Sequence, residues 1–147
     1  MPHRVEFDVE HKILLVIHEG EVHGREIEEL GDKLRPLLGE LNPSAAISDF
    51  SEATAVDINS QMVRHLARKD TSSFPRRIRR FIVAPHDYQF GLARMYELSA
   101  EPPFADLHVV RRKEDALATL GDRISSSNRW FWHRLLLSNA PPTALPG

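Results

Sequence analysis

The order of apolar and polar residues predicts a chain that begins with two strands. Residues 4–9 alternate Val5, Phe7 and Val9 with polar side chains, which is the pattern of a half-buried strand. Residues 12–18 contain five consecutive apolar residues, as in a central strand that is covered on both faces. Because the turn between the two segments is too short for a crossover, we expect the two strands to pair antiparallel.

A helix is predicted next, because apolar residues recur with helical spacing from Ile27 to Leu41. Pro36 lies inside this pattern and lacks an amide hydrogen, so we expect a kink or a break there. Further strands are predicted at 45–50, 78–84 and 105–110. Further helices are predicted at about 57–68, from Asp87 as N-cap to Pro102, and at 113–120 with Gly121 as terminator.

Strands that alternate with helices indicate a layered α/β domain with a mixed, five-stranded sheet. A chain of 147 residues is long enough for one such domain, which we assign to residues 1–124. Residues 125–147 differ in character and are expected to form an aromatic helix with a Pro-rich end.

This C-terminal segment has two Trp, one Phe and three Leu within eight residues. A helix of about a dozen residues would be about 18 Å long, too short to span a bilayer. It must therefore cover its own sheet, a second copy, another protein or a membrane surface. We favour packing within the chain or a homodimer through Trp130, Phe131 and Trp132.

Composition and charge exclude several classes of function. The net charge of −2 gives no overall attraction to nucleic acid, and the absence of cysteine excludes disulfides and thiolate chemistry. The N-terminal residues lack the apolar core of a signal peptide, and no apolar run has the length of a membrane span. We expect a cytoplasmic protein.

Catalytic patterns are weak. His18 and His23 are one residue too far apart for a zinc-binding helix, and Gly20 interrupts the segment, so we interpret it as a polar turn and expect no metal or cofactor. No Gly-x-Ser-x-Gly motif and no Gly-rich phosphate loop is found. A non-enzymatic protein is favoured, and a hydrolase that uses His18, His23 or His86 is a minor alternative.

A basic run from Arg76 to Arg80 follows Arg64 and Arg68. It could bind phosphate or RNA, but few aromatic residues accompany it and acidic residues elsewhere balance the charge. We interpret it as the start of a strand whose arginine side chains extend to solvent, and we expect no nucleic-acid partner.

The start of the third predicted helix carries Phe90, Gly91, Arg94 and Met95. Gly91 would allow backbone or a ligand to approach closely. Arg94 lies on an apolar stretch and requires either an anionic ligand or a carboxylate such as Asp49 or Asp87. We favour an ion pair for Arg94 and core positions for Phe90 and Met95.

Three segments resemble a known family. They are Asp49-Phe-Ser51, then Ile82-Val-Ala-Pro85 with Phe90-Gly-Leu-Ala-Arg-Met-Tyr-Glu97, and the closing strand and helix at 109–120. Over residues 3–121 the chain is similar to STAS domains, and to stand-alone proteins related to the SpoIIAA-type anti-sigma-factor antagonists. The resemblance implies two strands, a helix, and then strand–helix units that end in a short helix.

The family's best-known chemistry is phosphorylation of a Ser in an Asp-Ser-Ser-Gly-like loop, which blocks partner binding. The corresponding loop here runs from Asp49 to Asp57, and the phosphorylated position falls near Ala55 or Val56. We therefore expect the usual switch to be absent. Ser51 and Thr54 are the remaining candidates for phosphorylation, and Asp57 places a negative charge at the expected helix start.

The resemblance implies a non-enzymatic regulatory or protein-interaction module. Its binding surface is expected to combine two groups of residues: Asp49, Ser51, Thr54 and Asp57 with Asp87, Phe90, Arg94 and Met95. The alternative is a carrier or sensor of a small apolar or amphiphilic, lipid-like ligand. Some STAS-like domains resemble lipid-transfer folds, and Phe90, Met95 and the C-terminal aromatic residues would then line the pocket.

Overall fold

The computed structural model describes residues 3–121 and 130–137. The strands are β1 (His3–Asp8), β2 (Ile13–His23), β3 (Ala45–Asp57), β4 (Arg79–Val83), β5 (Leu107–Val110) and β6 (Trp132–Leu135). The helices are α1 (Gly24–Leu41), α2 (Ser60–Ser73), α3 (Asp87–Leu98) and α4 (Lys113–Gly121). None of the described helices has the length and apolarity needed to cross a bilayer.

The strands form one mixed sheet in the order β5-β4-β3-β2-β1-β6. β1 pairs antiparallel with β2, as predicted, and the pairs from β2 to β5 are parallel. The α/β class, the mixed sheet and the element order that the STAS resemblance implied are confirmed. The sheet has six strands among the described residues rather than the five expected.

Helices cover both faces of the sheet. On one face, α1, α2 and α3 pack over side chains such as Val16 and Ile82. On the other face, α4 packs over Ile13, Ile47 and Phe81. The alternation of side chains along each strand divides the core into these two layers.

α1 continues through Pro36 without a break, so the expectation of a break there is wrong. Pro36 is exposed, while Leu30 and Leu38 on either side are buried against the sheet. Proline removes a single backbone hydrogen bond, and the packing of the apolar face keeps the helix intact around it.

β2 and β3 extend beyond their predicted ends. Residues 19–23 and 52–57, expected from the sequence to form a polar turn and a loop, pair with each other in parallel from Glu19↔Glu52 to His23↔Asp57. We call this pair the β2–β3 extension. It contains register shifts, and Gly20 adopts a positive φ of 66° beside one of them, which glycine tolerates without strain.

Two helix starts also differ from prediction. α2 begins at Ser60 rather than at Asp57, because the Asn59 side chain accepts a hydrogen bond of 2.8 Å from the Met62 amide and caps the helix. The N-cap of α3 is His86, and Asp87 is the first helical residue.

The hydrophobic helix predicted at the C-terminal end is wrong for residues 130–137. This segment contains β6, which pairs antiparallel with the outer edge of β1, so the free backbone groups of that edge are satisfied. Trp130 and Trp132 pack against the core beside α4, whereas Phe131 is exposed. The rest of the predicted helix and the Pro-rich end lie outside the described residues.

Candidate functional site

The first half of the predicted binding surface lies along β3 from its middle to its carboxyl end. Asp49 is buried, and its Oδ1 accepts hydrogen bonds from the Ser51 amide (2.9 Å) and the Ser51 hydroxyl. Thr54 and Asp57 are exposed on the β2–β3 extension. The Asp57 carboxylate lies 3.5 Å from Nδ1 of His23.

The second half lies on α3. Asp87 forms an ion pair of 2.7 Å with Arg111, whose guanidinium lies over the Phe90 ring at 4.1 Å. Arg94 is paired within its own helix to Glu97, so the partners predicted for it, Asp49 and Asp87, are wrong.

The expected packing role of Phe90 and Met95 agrees with the structure, because both are half-buried against the layer formed by α2 and α3. Gly91 is exposed, and a Cβ added there would meet nothing within 4 Å. The close approach that we expected at Gly91 is therefore absent among the described residues.

Gln89 connects the two halves of the predicted binding surface, on β3 and on α3. Its Oε1 accepts a hydrogen bond of 3.4 Å from the His86 amide, and its Nε2 donates one of 3.4 Å to the Phe50 carbonyl. The start of α3 therefore lies against β3 at the point where the β2–β3 extension begins.

A cavity lies between the sheet and helices α1, α2 and α3. It offers about 100 Å³ of space to water-sized groups and is partly open to solvent. Its aliphatic lining consists of Ile27, Val56, Ile58, Val63, Leu66, Ile82, Leu92 and Ala93. Polar groups reach it from His18, Ser48, Asp70, Arg80 and Gln89.

The lining differs from the pocket predicted from the sequence. Phe90 and Met95 pack beside the cavity without lining it, and Trp130 and Trp132 pack on the opposite face of the sheet. The aliphatic residues of α2 and the buried side chains of the strands form the wall instead.

His18 lies at the sheet floor of the cavity, stacked on the Phe50 ring with centroids 4.3 Å apart and an angle of 6° between planes. Burial lowers the pKa of the imidazole to about 4, so the ring is neutral at neutral pH. His23 is five residues further along β2, roughly 16 Å away on an extended strand. These two histidines therefore do not form a shared site.

Arg80 lies at the other side of the cavity inside a group of aromatic rings. Its guanidinium carbon lies 4.5 Å, 5.1 Å and 5.4 Å from the ring centroids of Phe74, Phe104 and Tyr96. Tyr96 donates a hydrogen bond of 2.6 Å to Asp70, and burial raises the pKa of its phenol well above the usual range. The site is thus a mainly apolar cavity with one buried cation at its edge.

Sequence reasoning misses this cavity, although two of its residues attract notice. The sequence suggests that Arg80 extends to solvent and that His18 belongs to a polar turn, and the structure corrects both interpretations. In the sequence, Arg80 stands at the start of an apolar strand and His18 at the end of another, and these positions are the two features that could have indicated the cavity. Neither signal shows that the two side chains reach the same space.

No known family model matches the chain, and no curated protein matches it significantly. Among solved structures, it is similar to an uncharacterised protein of the DUF3478 family with a SpoIIAA-like fold from Shewanella loihica PV-4. The identity is 18% and the TM-score 0.48, over 74% of this chain and 83% of that chain.

It is also similar to the anti-sigma factor antagonist SpoIIAA in its unphosphorylated form. Here the identity is 13% and the TM-score 0.45, over 76% of this chain and 91% of that chain. Both structures are of the SpoIIAA-like kind that the sequence resembles. Likeness at this level concerns the fold alone.

Proposed function

We propose that the protein is a non-enzymatic binding module that takes a small amphiphilic molecule into the cavity under α1, α2 and α3. The observation that supports this most is the composition of the lining, which is mainly aliphatic and aromatic with five polar side chains. Ligand sites typically combine an apolar wall with a small number of placed polar groups that fix orientation.

The position of Gln89 supports a regulatory role for such binding. Gln89 lines the cavity and also holds the Phe50 carbonyl and the His86 amide. A ligand that contacts this amide side chain would shift the hydrogen bonds that join α3 to β3. Occupancy of the cavity would in this way alter the surface around Asp49 and Asp87.

The non-enzymatic character rests on the chemistry of the described residues. Within residues 3–121 and 130–137, no group of three or more His, Asp or Glu side chains could hold a metal ion. His18 is neutral and packed against Phe50. We propose on this basis that the module binds its ligand without transforming it.

The test is a thermal-unfolding titration with octan-1-ol as the probe. Binding to the native state raises the unfolding temperature as the probe concentration rises. Replacing the buried cavity residue Ala93 by Met should fill the space and abolish this shift. The matched control is Ala118→Met on the exposed side of α4, which should keep it. A shift that survives Ala93→Met would refute binding in this cavity.

The β2–β3 extension supports a second candidate function, the docking of a protein partner. β4 pairs with β3 only as far as Asp49↔Val83, so residues 50–57 have no strand on that side in the described part of the chain. Such an edge can pair with an added strand of a partner. Ser51, Thr54 and Asp57 are exposed along it.

A photo-crosslinking amino acid placed at Thr54 tests this second function in cells. A specific protein adduct is expected from that position and none from the exposed residue Glu40 at the end of α1. In the proposed mode of action phosphorylation is dispensable, because the Ser51 hydroxyl is already bonded to Asp49. The crosslinker already replaces the Thr54 hydroxyl, so adducts from position 54 that disappear when Ser51 is changed to Ala would contradict this last point.

A further inference from the structure

We propose that the cavity selects amphiphiles with a carboxylate head group, which the buried guanidinium of Arg80 holds. This inference rests on the proposed function and names the ligand class. Its basis is the environment of the Arg80 guanidinium. Aromatic rings lie close to this group, while one of its nitrogens has no hydrogen-bond partner among the described residues.

The Phe74 and Phe104 rings contact the guanidinium but carry no hydrogen-bond acceptor atom, whereas the Tyr96 hydroxyl is close enough to interact with it. Only 14% of the side chain is exposed. Among the described residues, Nη1 is buried without a hydrogen-bond partner, and it is the single buried side-chain nitrogen or oxygen there in that condition. A buried donor left unpaired is costly, so an arrangement that keeps one favours a ligand acceptor.

Asp70 forms a long ion pair with Nη2 of Arg80, and it is shared with two other side chains. Its Oδ2 lies 3.9 Å from Nη2 of Arg80, beyond hydrogen-bonding distance. The same oxygen accepts the Tyr96 hydroxyl, and Oδ1 lies 3.6 Å from Nη2 of Arg35. A carboxylate brought by a ligand could therefore bind Nη1 without displacing an internal partner, with the planar geometry that guanidinium groups favour.

Within residues 3–121 and 130–137, Arg80 is also the one permanent cation that lines this cavity, where the Asp70 carboxylate lies as well. His18, at the sheet floor, is uncharged at neutral pH because it is buried. The aliphatic wall of Val63, Leu66 and Leu92 suits a hydrocarbon tail. The space is several times the roughly 10–15 Å³ that a single water requires, so it has room for part of a short hydrocarbon chain.

The experiment is calorimetric titration of the whole chain at pH 7 with three probes of equal tail length: octanoate, octan-1-ol and octylammonium. A charge-assisted hydrogen bond to Arg80 predicts that octanoate binds about tenfold or more tightly than octan-1-ol. Octylammonium should bind most weakly, because its charge repels that of Arg80.

Two variants identify the residue responsible. Arg80→Gln should reduce the affinity for octanoate to that for octan-1-ol. The matched control is Arg79→Gln, because Arg79 bonds to Asp106 at 3.0 Å and does not line the cavity. If Arg80→Gln fails to fold, the comparison of head groups on the unaltered protein decides, together with the nitrogen NMR shift of the Arg80 guanidinium on addition of octanoate.

The outcomes separate this inference from the proposed function. Equal affinities for octanoate and octan-1-ol would overturn the carboxylate specificity and leave an apolar binding module in place. A preference for octanoate that persists in Arg80→Gln would overturn the role of Arg80. Failure of all three probes to bind would overturn both proposals.

Discussion

Four polar side chains are buried within the described residues, and three of them have hydrogen bonds to backbone groups. Asp8 accepts hydrogen bonds from the amides of His11 and Phe131, and Asp49 accepts from Ser51. Gln89 bridges two backbone groups, whereas His18 is held by ring stacking. Because burial penalises the charged form of an imidazole, His18 makes the stability of the fold depend on pH.

We predict that His18 destabilises the protein as the pH falls. Its pKa is about 4 in the folded state, against 6.5 for a histidine exposed to water in the unfolded chain. Between these values the unfolded chain binds more protons, so the free energy of unfolding decreases as the pH is lowered from about 6.5 to 4. The loss from this group alone is roughly 3 kcal/mol at most.

Urea unfolding at several pH values measures this effect. His18→Phe keeps a ring against Phe50 and takes no proton, so its unfolding free energy should fall less steeply over the same range. The fold also lowers the pKa of Glu28 and of Asp32, but these two groups contribute equally to the pH dependence of both proteins. The control is His133→Phe at an exposed position of β6. Parallel pH profiles for the native protein and His18→Phe would exclude this role.

Among the elements, β6 is held by a buried side chain of β1 in addition to its strand pairing and the packing of Trp130 and Trp132. The Phe131 amide, at the start of this short strand, donates a hydrogen bond of 2.8 Å to Oδ2 of the fully buried Asp8. Oδ1 of Asp8 accepts the His11 amide at 2.9 Å and thereby holds the β1–β2 turn. One carboxylate thus fixes both a turn and an edge strand.

Replacing Asp8 by Ala is predicted to lower the free energy of unfolding by about 2–4 kcal/mol, because two part-buried amides lose their charged acceptor. Hydrogen exchange at the β6 amides should accelerate more than exchange in β3, since an edge strand opens locally. Glu10→Ala, at an exposed position of the same turn, serves as the control. Unchanged exchange in β6 would show that Asp8 does not hold this strand.

Two glycines of α1 are predicted to respond to alanine in opposite directions. A Cβ at Gly24 would lie 2.5 Å from Cγ of Met62, so Gly24→Ala should destabilise the protein by about 1–3 kcal/mol. A Cβ at Gly39 meets nothing within 4 Å, so Gly39→Ala should stabilise it by up to about 1 kcal/mol.

Thermal or urea unfolding of both variants checks these signs. Met62→Ala removes the obstructing side chain, so it should reduce the cost of Gly24→Ala when the two changes are combined. Equal effects of alanine at Gly24 and Gly39 would contradict the packing of α1 on α2 described above.

At the scale of the whole molecule, local patterns predict much of the fold. The continuous apolar run at 13–17 identifies a central strand, and the spacing of Leu30 and Leu38 identifies α1. The prediction for residues 130–137 names the wrong element because a short apolar run suits a helix or a strand equally. The free edge of β1 decides between them, and the sequence does not show that edge.

The cavity could not be predicted from the sequence either, because it also depends on how the strands are arranged in the sheet. His18, Arg80 and Tyr96 belong to β2, β4 and α3, and only the order of strands in the sheet brings them to one space. The homodimer suggested for Trp130, Phe131 and Trp132 stays a prediction. Because both Trp side chains pack in the core, such a dimer would have to use the exposed Phe131 and Leu136.

The most direct test of the central claim is a methyl NMR titration of the whole chain with octan-1-ol. Binding in the cavity predicts concentration-dependent shifts at the methyl groups of Val63, Leu66 and Ile82. The methyl groups of Ile13 and Leu120, in the core layer on the opposite face of the sheet, should stay unchanged. An absence of shifts at a saturating probe concentration, or shifts confined to the opposite face, would contradict the account.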